Sequence, residues 1–80
     1  MNVGEAVAER ILELCRERNI SVNRLCTISG VTQSTVNNIV SLRNNSATVA
    51  TVKKLCDGLD IGISEFFASP LFDDLEQEIK

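Results

Sequence analysis

The segment Ser21 to Val40, SVNRLCTISGVTQSTVNNIV, constrains the fold of this 80-residue chain more than any other. Two short runs with helical apolar spacing flank Ser29-Gly30-Val31. Gly30 can end the first run in a left-handed conformation that only glycine adopts cheaply. Ser21 and Thr32 each stand just before a run, where a side-chain oxygen accepts from an orphan helix amide. The spacing predicts two helices joined by a tight turn, the second running from about Gln33 to Ser41. In the first, Val22, Leu25, Cys26 and Ile28 line the inner side, and Asn23, Arg24 and Thr27 face out. In the second, Val36, Ile39 and Val40 form the inner arc. Gln33, Ser34, Asn37, Asn38 and Ser41 form a continuous outer arc, with Thr35 at its border.

The rest of the chain reads as helices that enclose this pair. A first helix is expected from about Gly4 to Arg18, burying Val7, Ala8, Ile11, Leu12, Leu14 and Cys15. Its other positions are charged, and Arg10, Arg16 and Arg24 read as surface partners of nearby Glu. Asn19 suits a left-handed C-cap, with Ile20 returning to the core. A polar loop, Leu42 to Ala47, precedes a fourth helix from about Val49 to Leu59, capped by Thr48. Val49, Val52, Leu55, Cys56 and Leu59 share its inner face, while Lys53, Lys54 and Asp57 face out. Gly58 costs that helix stability unless it permits close packing. Ser64 is the expected cap of a short fifth helix holding Phe66 and Phe67.

Composition agrees with an all-α domain. Apolar residues make up 44% of the chain, enough to fold, with a single Pro, four Gly and no Trp or Tyr. No apolar run has the length of a membrane span, and MNVGEAVAER lacks a signal-peptide pattern. The protein is expected to be soluble and cytoplasmic, with no membrane partner. Cys15, Cys26 and Cys56 are isolated and lie in apolar rows, so they read as small buried hydrophobes in a reducing compartment. With no His and no CxxC spacing, neither a metal site nor a cofactor is expected. No phosphate-cradling glycine loop or acid/base pair stands out, so the chain does not read as an enzyme.

The net charge is −3, unusual for a partner of nucleic acid. Residues 1–68 carry seven Lys/Arg and seven Asp/Glu, and the deficit comes from residues 69–80. The outer arc of the third helix is more telling than this sum. A helix face that meets only water ordinarily carries Lys and Glu, which solvate well and favour helix. Asn, Ser and Thr are poorer helix formers. Amides can make paired hydrogen bonds to adenine, and hydroxyls can bond to several base edges. An uncharged amide and hydroxyl face on the second helix of such a pair fits the major groove of double-stranded DNA.

From about residue 8 to residue 67 the chain resembles the Cro- and phage-repressor-like (XRE-family) helix-turn-helix proteins. The matching residues run through Ile11, Leu14, Ile20, Ser21, Leu25, Cys26, Gly30, Val31, Thr32, Gln33, Ser34, Thr35, Val36 and Ile39. They continue with Thr48, Thr51, Val52, Leu55, Cys56, Leu59, Ile61, Ser64, Phe66 and Phe67. The resemblance implies a five-helix bundle and sequence-specific binding to near-palindromic operators as a homodimer. It also implies roles for single residues. Thr32 would cap the third helix near a phosphate, and Ser21 would hold another phosphate. Gln33, Ser34, Asn37 and Asn38 would face base edges, and Thr35 would touch backbone or a thymine methyl. Arg43, Asn44 and Asn45 would follow the backbone beyond the helix. The family often pairs an Arg late in the first helix with a Glu ending the third. Here Cys15 and Val40 occupy those places, and both partners being apolar avoids an unpaired buried charge.

These expectations divide the chain into a helix-turn-helix domain, residues 1–68, and an acidic amphipathic tail, residues 69–80. Ser69-Pro70 has the form of a helix start, and Leu71, Phe72, Leu75 and Ile79 would share one arc of a short C-terminal helix. The tail could dock on its own domain, form a dimer contact or stay disordered. A protein-interaction or antitoxin-like adaptor acting through it is the alternative to a DNA-binding regulator. With no second domain, no small-molecule ligand is expected.

Overall fold

Each of the first four helices begins where the chain offers a side chain to its unpaired amides. The computed structural model describes residues 1–41 and 47–79. Among these the α-helices are α1 (Val3–Glu17), α2 (Val22–Ser29), α3 (Gln33–Val40), α4 (Val49–Leu59) and α5 (Ile63–Phe67). A single 3-10 turn, Pro70–Phe72, follows, and no strand is present among the described residues. Ser21, Thr32 and Thr48 accept hydrogen bonds from the amides of Arg24, Thr35 and Thr51, as their positions predict. At the start of α1, Asn2 and Glu5 close a reciprocal capping box, which sets the helix start one residue before the expected Gly4.

The helix ends are equally local in origin. Gly30 takes the left-handed conformation, φ 70°, and turns the chain from α2 toward α3. Asn19, φ 55°, does the same after α1, and its amide and that of Ile20 bond back to Arg16 and Cys15. Asp60, φ 57°, ends α4 in the same way, with Ile61 bonding back to Cys56.

The core gathers one stripe from each helix. Ile11, Leu25, Val36, Leu55, Cys56 and Phe66 are fully buried, and each Leu, Ile, Val or Phe among them contributes roughly 1.5–3 kcal/mol by leaving water. α2 packs on α4 and α3, α1 packs on α3, and α4 packs on α5. The contact of α1 with α3 agrees with the paired apolar residues, since Cys15 is buried and Val40 packs on the same cluster. Gly58 marks a close approach of α4 to α2, because a Cβ there would stand 2.8 Å from Ser29 Cα. A glycine thus lets the two helices pack this closely at that point.

Several expectations are corrected. Arg10 is not a surface residue; it is 7% exposed. Its Nε donates to the Phe66 carbonyl at 2.6 Å and its Nη2 to the Glu65 carbonyl at 2.9 Å. Its Nη1 pairs with Glu13 at 2.5 Å. One guanidinium therefore binds two carbonyls at the end of α5, of which that of Glu65 also accepts from the Ala68 amide. Val49 is 75% exposed and Ile28 is 37% exposed, although both fall on inner arcs by spacing. Each sits near a helix end that runs beyond the core. Ser64 lies inside α5, whose N-cap is Gly62 with no side-chain cap bond.

The tail docks but does not continue as a helix. Ser69 caps only the turn Pro70–Phe72, accepting from the Leu71 amide. The turn packs on α1, and Phe72 closes an aromatic cluster with Phe66 and Phe67. The Glu76 amide donates to the Met1 carbonyl, and the Glu76 carboxylate stands 3.6 Å from the Met1 amine. Ile79, the last residue of the expected apolar arc, is 87% exposed.

Candidate nucleic-acid interface

α2 and α3 present the surface that the sequence singles out. Gly30 directs the chain out of α2, and buried Val31 anchors the turn before Thr32 starts α3. Burial of Val36 and Ile39 fixes the rotation of α3, with α1 and α2 on its inner side. The opposite side must then face solvent. Gln33, Ser34, Asn37 and Ser41 are exposed there, and Asn38 and Thr35 are half-buried on its flanks. Asn38 is accordingly at the edge of the face, not at its centre.

The local bonding leaves the amides available. Thr32 and Thr35 use their hydroxyls on each other, 2.9 Å apart, and Thr32 also accepts from the Thr35 amide at 3.3 Å. Among the described residues, the side chains of Gln33, Ser34 and Asn37 make no hydrogen bond within the protein. Ser21, exposed at the start of α2, caps that helix through the Arg24 amide at 3.0 Å. Ser21 and Thr32 thus leave the amide-rich ends of α2 and α3 at exposed positions, a setting that favours anions. Arg43, Asn44 and Asn45 lie outside the described residues.

One electrostatic signal was missed by summing charge over residues 1–68. No acidic residue occurs between Glu17 and Asp57. Those 39 residues hold all of α2 and α3 and most of α4, and they carry five Lys/Arg. The negative charge is confined to α1, the end of α4, α5 and the tail. The stretch that contains the helix-turn-helix therefore carries net positive charge within a protein of net negative charge, with Arg24 as the cation of α2 and α3 themselves, and local distribution governs attraction at contact range.

The three cysteines stay in the core as free thiols. Burial pushes the pKa of all three up, with the neighbouring Cys26 adding to the shift at Cys15. Such thiols are poor nucleophiles at neutral pH. Among the described residues no helix is long and apolar enough to cross a membrane.

Comparison with known proteins places these features. The family model described as a Cro/C1-type HTH DNA-binding domain matches residues 10–69. The crystal structure of the prophage Lp1 protein 11 is similar over 94% of this chain and 100% of that chain, with 36% sequence identity and a TM-score of 0.81. No curated protein matches.

Proposed function

The chain belongs to the Cro/C1-type helix-turn-helix DNA-binding family, and from that premise we propose that it is a sequence-specific transcriptional regulator. Helix α3 enters the major groove, and Gln33, Ser34, Asn37 and Asn38 read base edges there. Thr32, Thr35 and Ser21 hold the flanking phosphates, and Arg43, Asn44 and Asn45 follow the backbone beyond α3. The observation that carries the reading is the exposed, uncharged outer face of α3 within an acid-free stretch. A solvated helix has no use for such a face, whereas a groove-reading helix does.

The regulator acts as a homodimer, which sets its two copies of α3 about one helical turn of DNA apart. An apolar cavity of about 210 Å³ supports self-association. Val3 and Val7 of α1, Val49 and Val52 of α4, and Ile63 and Phe67 of α5 line it. Of these, Val49, Ile63 and Phe67 are large apolar side chains left exposed. A second copy is the occupant this proposal commits to, because a two-fold contact is what a near-palindromic site requires. The tail offers less to an adaptor partner, since Leu71, Phe72 and Leu75 are half-buried against their own chain.

Anisotropy titration against random and palindromic duplexes tests the reading. Sequence preference is expected to persist as salt rises. The salt slope is expected to be shallow, reflecting the few cations available, at about 0.9 log unit per phosphate neutralised. Equal affinity for all duplexes at low salt would overturn it. Sedimentation of a Phe67→Asp variant tests the dimer: a wild-type dimer should become monomeric, and a wild-type monomer at binding concentration on DNA would exclude this arrangement.

A further inference from the structure

The tail does more than cover its own domain. We infer that it sets the shape of the self-association surface, with Phe72 as the positioning residue that holds Phe67 of α5 in place for a second copy. The inference rests on the homodimer reading proposed above and adds the device that controls it. Two walls of the apolar cavity come from segments that depend on outside support. α5 has only five residues, so its geometry is set by what packs against it, yet it supplies Ile63 and Phe67, one turn apart on a single face. α1 supplies Val3, Gly4 and Val7 from its first turns, where helices fray.

The tail meets both walls. The Phe67 ring packs edge-to-face on Phe66 and on Phe72, each at a centroid distance of 4.9 Å, with interplanar angles of 71° and 65°. Phe66 is fully buried in the core, whereas Phe72 belongs to the tail turn. Phe67 itself stays exposed, so these ring contacts, and not burial, fix how it is presented. The turn Pro70–Phe72 packs on α1, and beyond it the Glu76 amide donates to the Met1 carbonyl at 3.1 Å, just before α1 begins. One strap thus joins the start of α1 to the end of α5, the two elements that enclose the cavity with α4. Phe72 is outside the cavity lining, so it acts on the surface through Phe67 and touches no second copy there.

Sedimentation of the full chain and its variants, paired with DNA titration, tests this. Phe72→Ala should raise the dimer dissociation constant about threefold to tenfold, the worth of one aromatic pair. Its binding to a duplex carrying a single half-site should hold at the wild-type level, because α3 is untouched. Phe72→Leu, which keeps an apolar side chain and loses the ring edge, should show the same split. Phe72→Tyr keeps the ring and should dimerise as the wild type does. Dimerisation unchanged in Phe72→Ala and Phe72→Leu, or half-site binding lost in step with dimerisation, would overturn the inference and leave the homodimer reading standing. A wild-type chain that stays monomeric on DNA would overturn both.

Discussion

Helices α3 and α4 start in the same way and turn opposite kinds of surface to solvent. Thr32 and Thr48 each cap through the amide three residues on, at 3.3 and 3.0 Å, and each pairs hydroxyls with a second Thr at 2.9 Å. Each helix buries an apolar stripe in the same core. Beyond that they diverge. α4 exposes Lys53, Lys54 and Asp57, with Lys53 paired to Asp57 one turn away. α3 exposes Gln33, Ser34 and Asn37 and carries no charge. Cap and stripe are what the fold demands, and both helices supply them. The outer faces are not dictated by packing. Ser34, Thr35, Asn37 and Asn38 forfeit of order 2 kcal/mol of helix propensity relative to Ala. On the proposed reading, that cost is offset by what the solvent side of α3 contacts in DNA.

The comparison breaks most sharply at the outer faces. Changing Gln33 and Asn37 together to Ala should abolish sequence preference, at about 1–3 kcal/mol per base contact. Tm should hold or rise, because Ala favours helix. A fall in Tm without loss of DNA preference would make the α3 face structural. The matching change of Lys53 and Lys54 to Ala should weaken binding equally on all sequences, if at all, and leave base preference as it was.

Gly58→Ala sharpens the contrast on the α4 side. Helix propensity alone predicts a gain of about 1 kcal/mol. The added Cβ would meet Ser29 backbone at 2.8 Å, and overpacking of that kind costs roughly 1–3 kcal/mol. Urea denaturation should show a net loss, and a net gain would mean that α2 and α4 separate freely.

The shared caps give the next effect. Thr32→Ala and Thr48→Ala should each cost about 1 kcal/mol of stability. Only Thr32→Ala should also weaken DNA binding beyond what its stability loss explains. Equal binding losses would deny α3 its special place.

The smallest difference concerns pH. α3 has no titratable side chain and the chain has no His, so base preference should be constant from about pH 6 to 8. Stability has a separate dependence through Cys15, Cys26 and Cys56, whose pKa values burial raises. The unfolded chain loses thiol protons first, so this stabilisation is complete below the ordinary thiol value of about 8.5 and is lost as pH rises through the folded values. Thermal melts at stepped pH should show this decline on the alkaline side.

Much of this architecture was legible because it is local. Ser21, Thr32 and Thr48 as caps, Gly30 and Asn19 as left-handed turns, and the bounds of α4 follow from a few neighbouring residues each. The face of α3 was legible too, since burying Val36 and Ile39 fixes which residues face away. Arg10 was not, because its carbonyl partners lie 55 and 56 residues along the chain and a charged residue among glutamates looks like surface. Periodicity placed Val49 and Ile28 inside because angle says nothing about where the core stops. The tail kept its apolar arc in sequence, yet Ser69-Pro70 starts only one turn before the chain lies back along Met1. The Asn2–Glu5 box was a readable signal, and so was the acid-free stretch; both needed spacing to be examined instead of totals.

The Arg10 clasp has a consequence for how the molecule comes apart. A five-residue helix such as α5 cannot hold its own shape in water, where even roughly a dozen residues are marginal. Its end is gripped by a side chain rooted in the opposite end of the polypeptide. Amide exchange in α5 should therefore keep step with exchange in α1, so that the two termini melt as a single cooperative unit and neither frays alone.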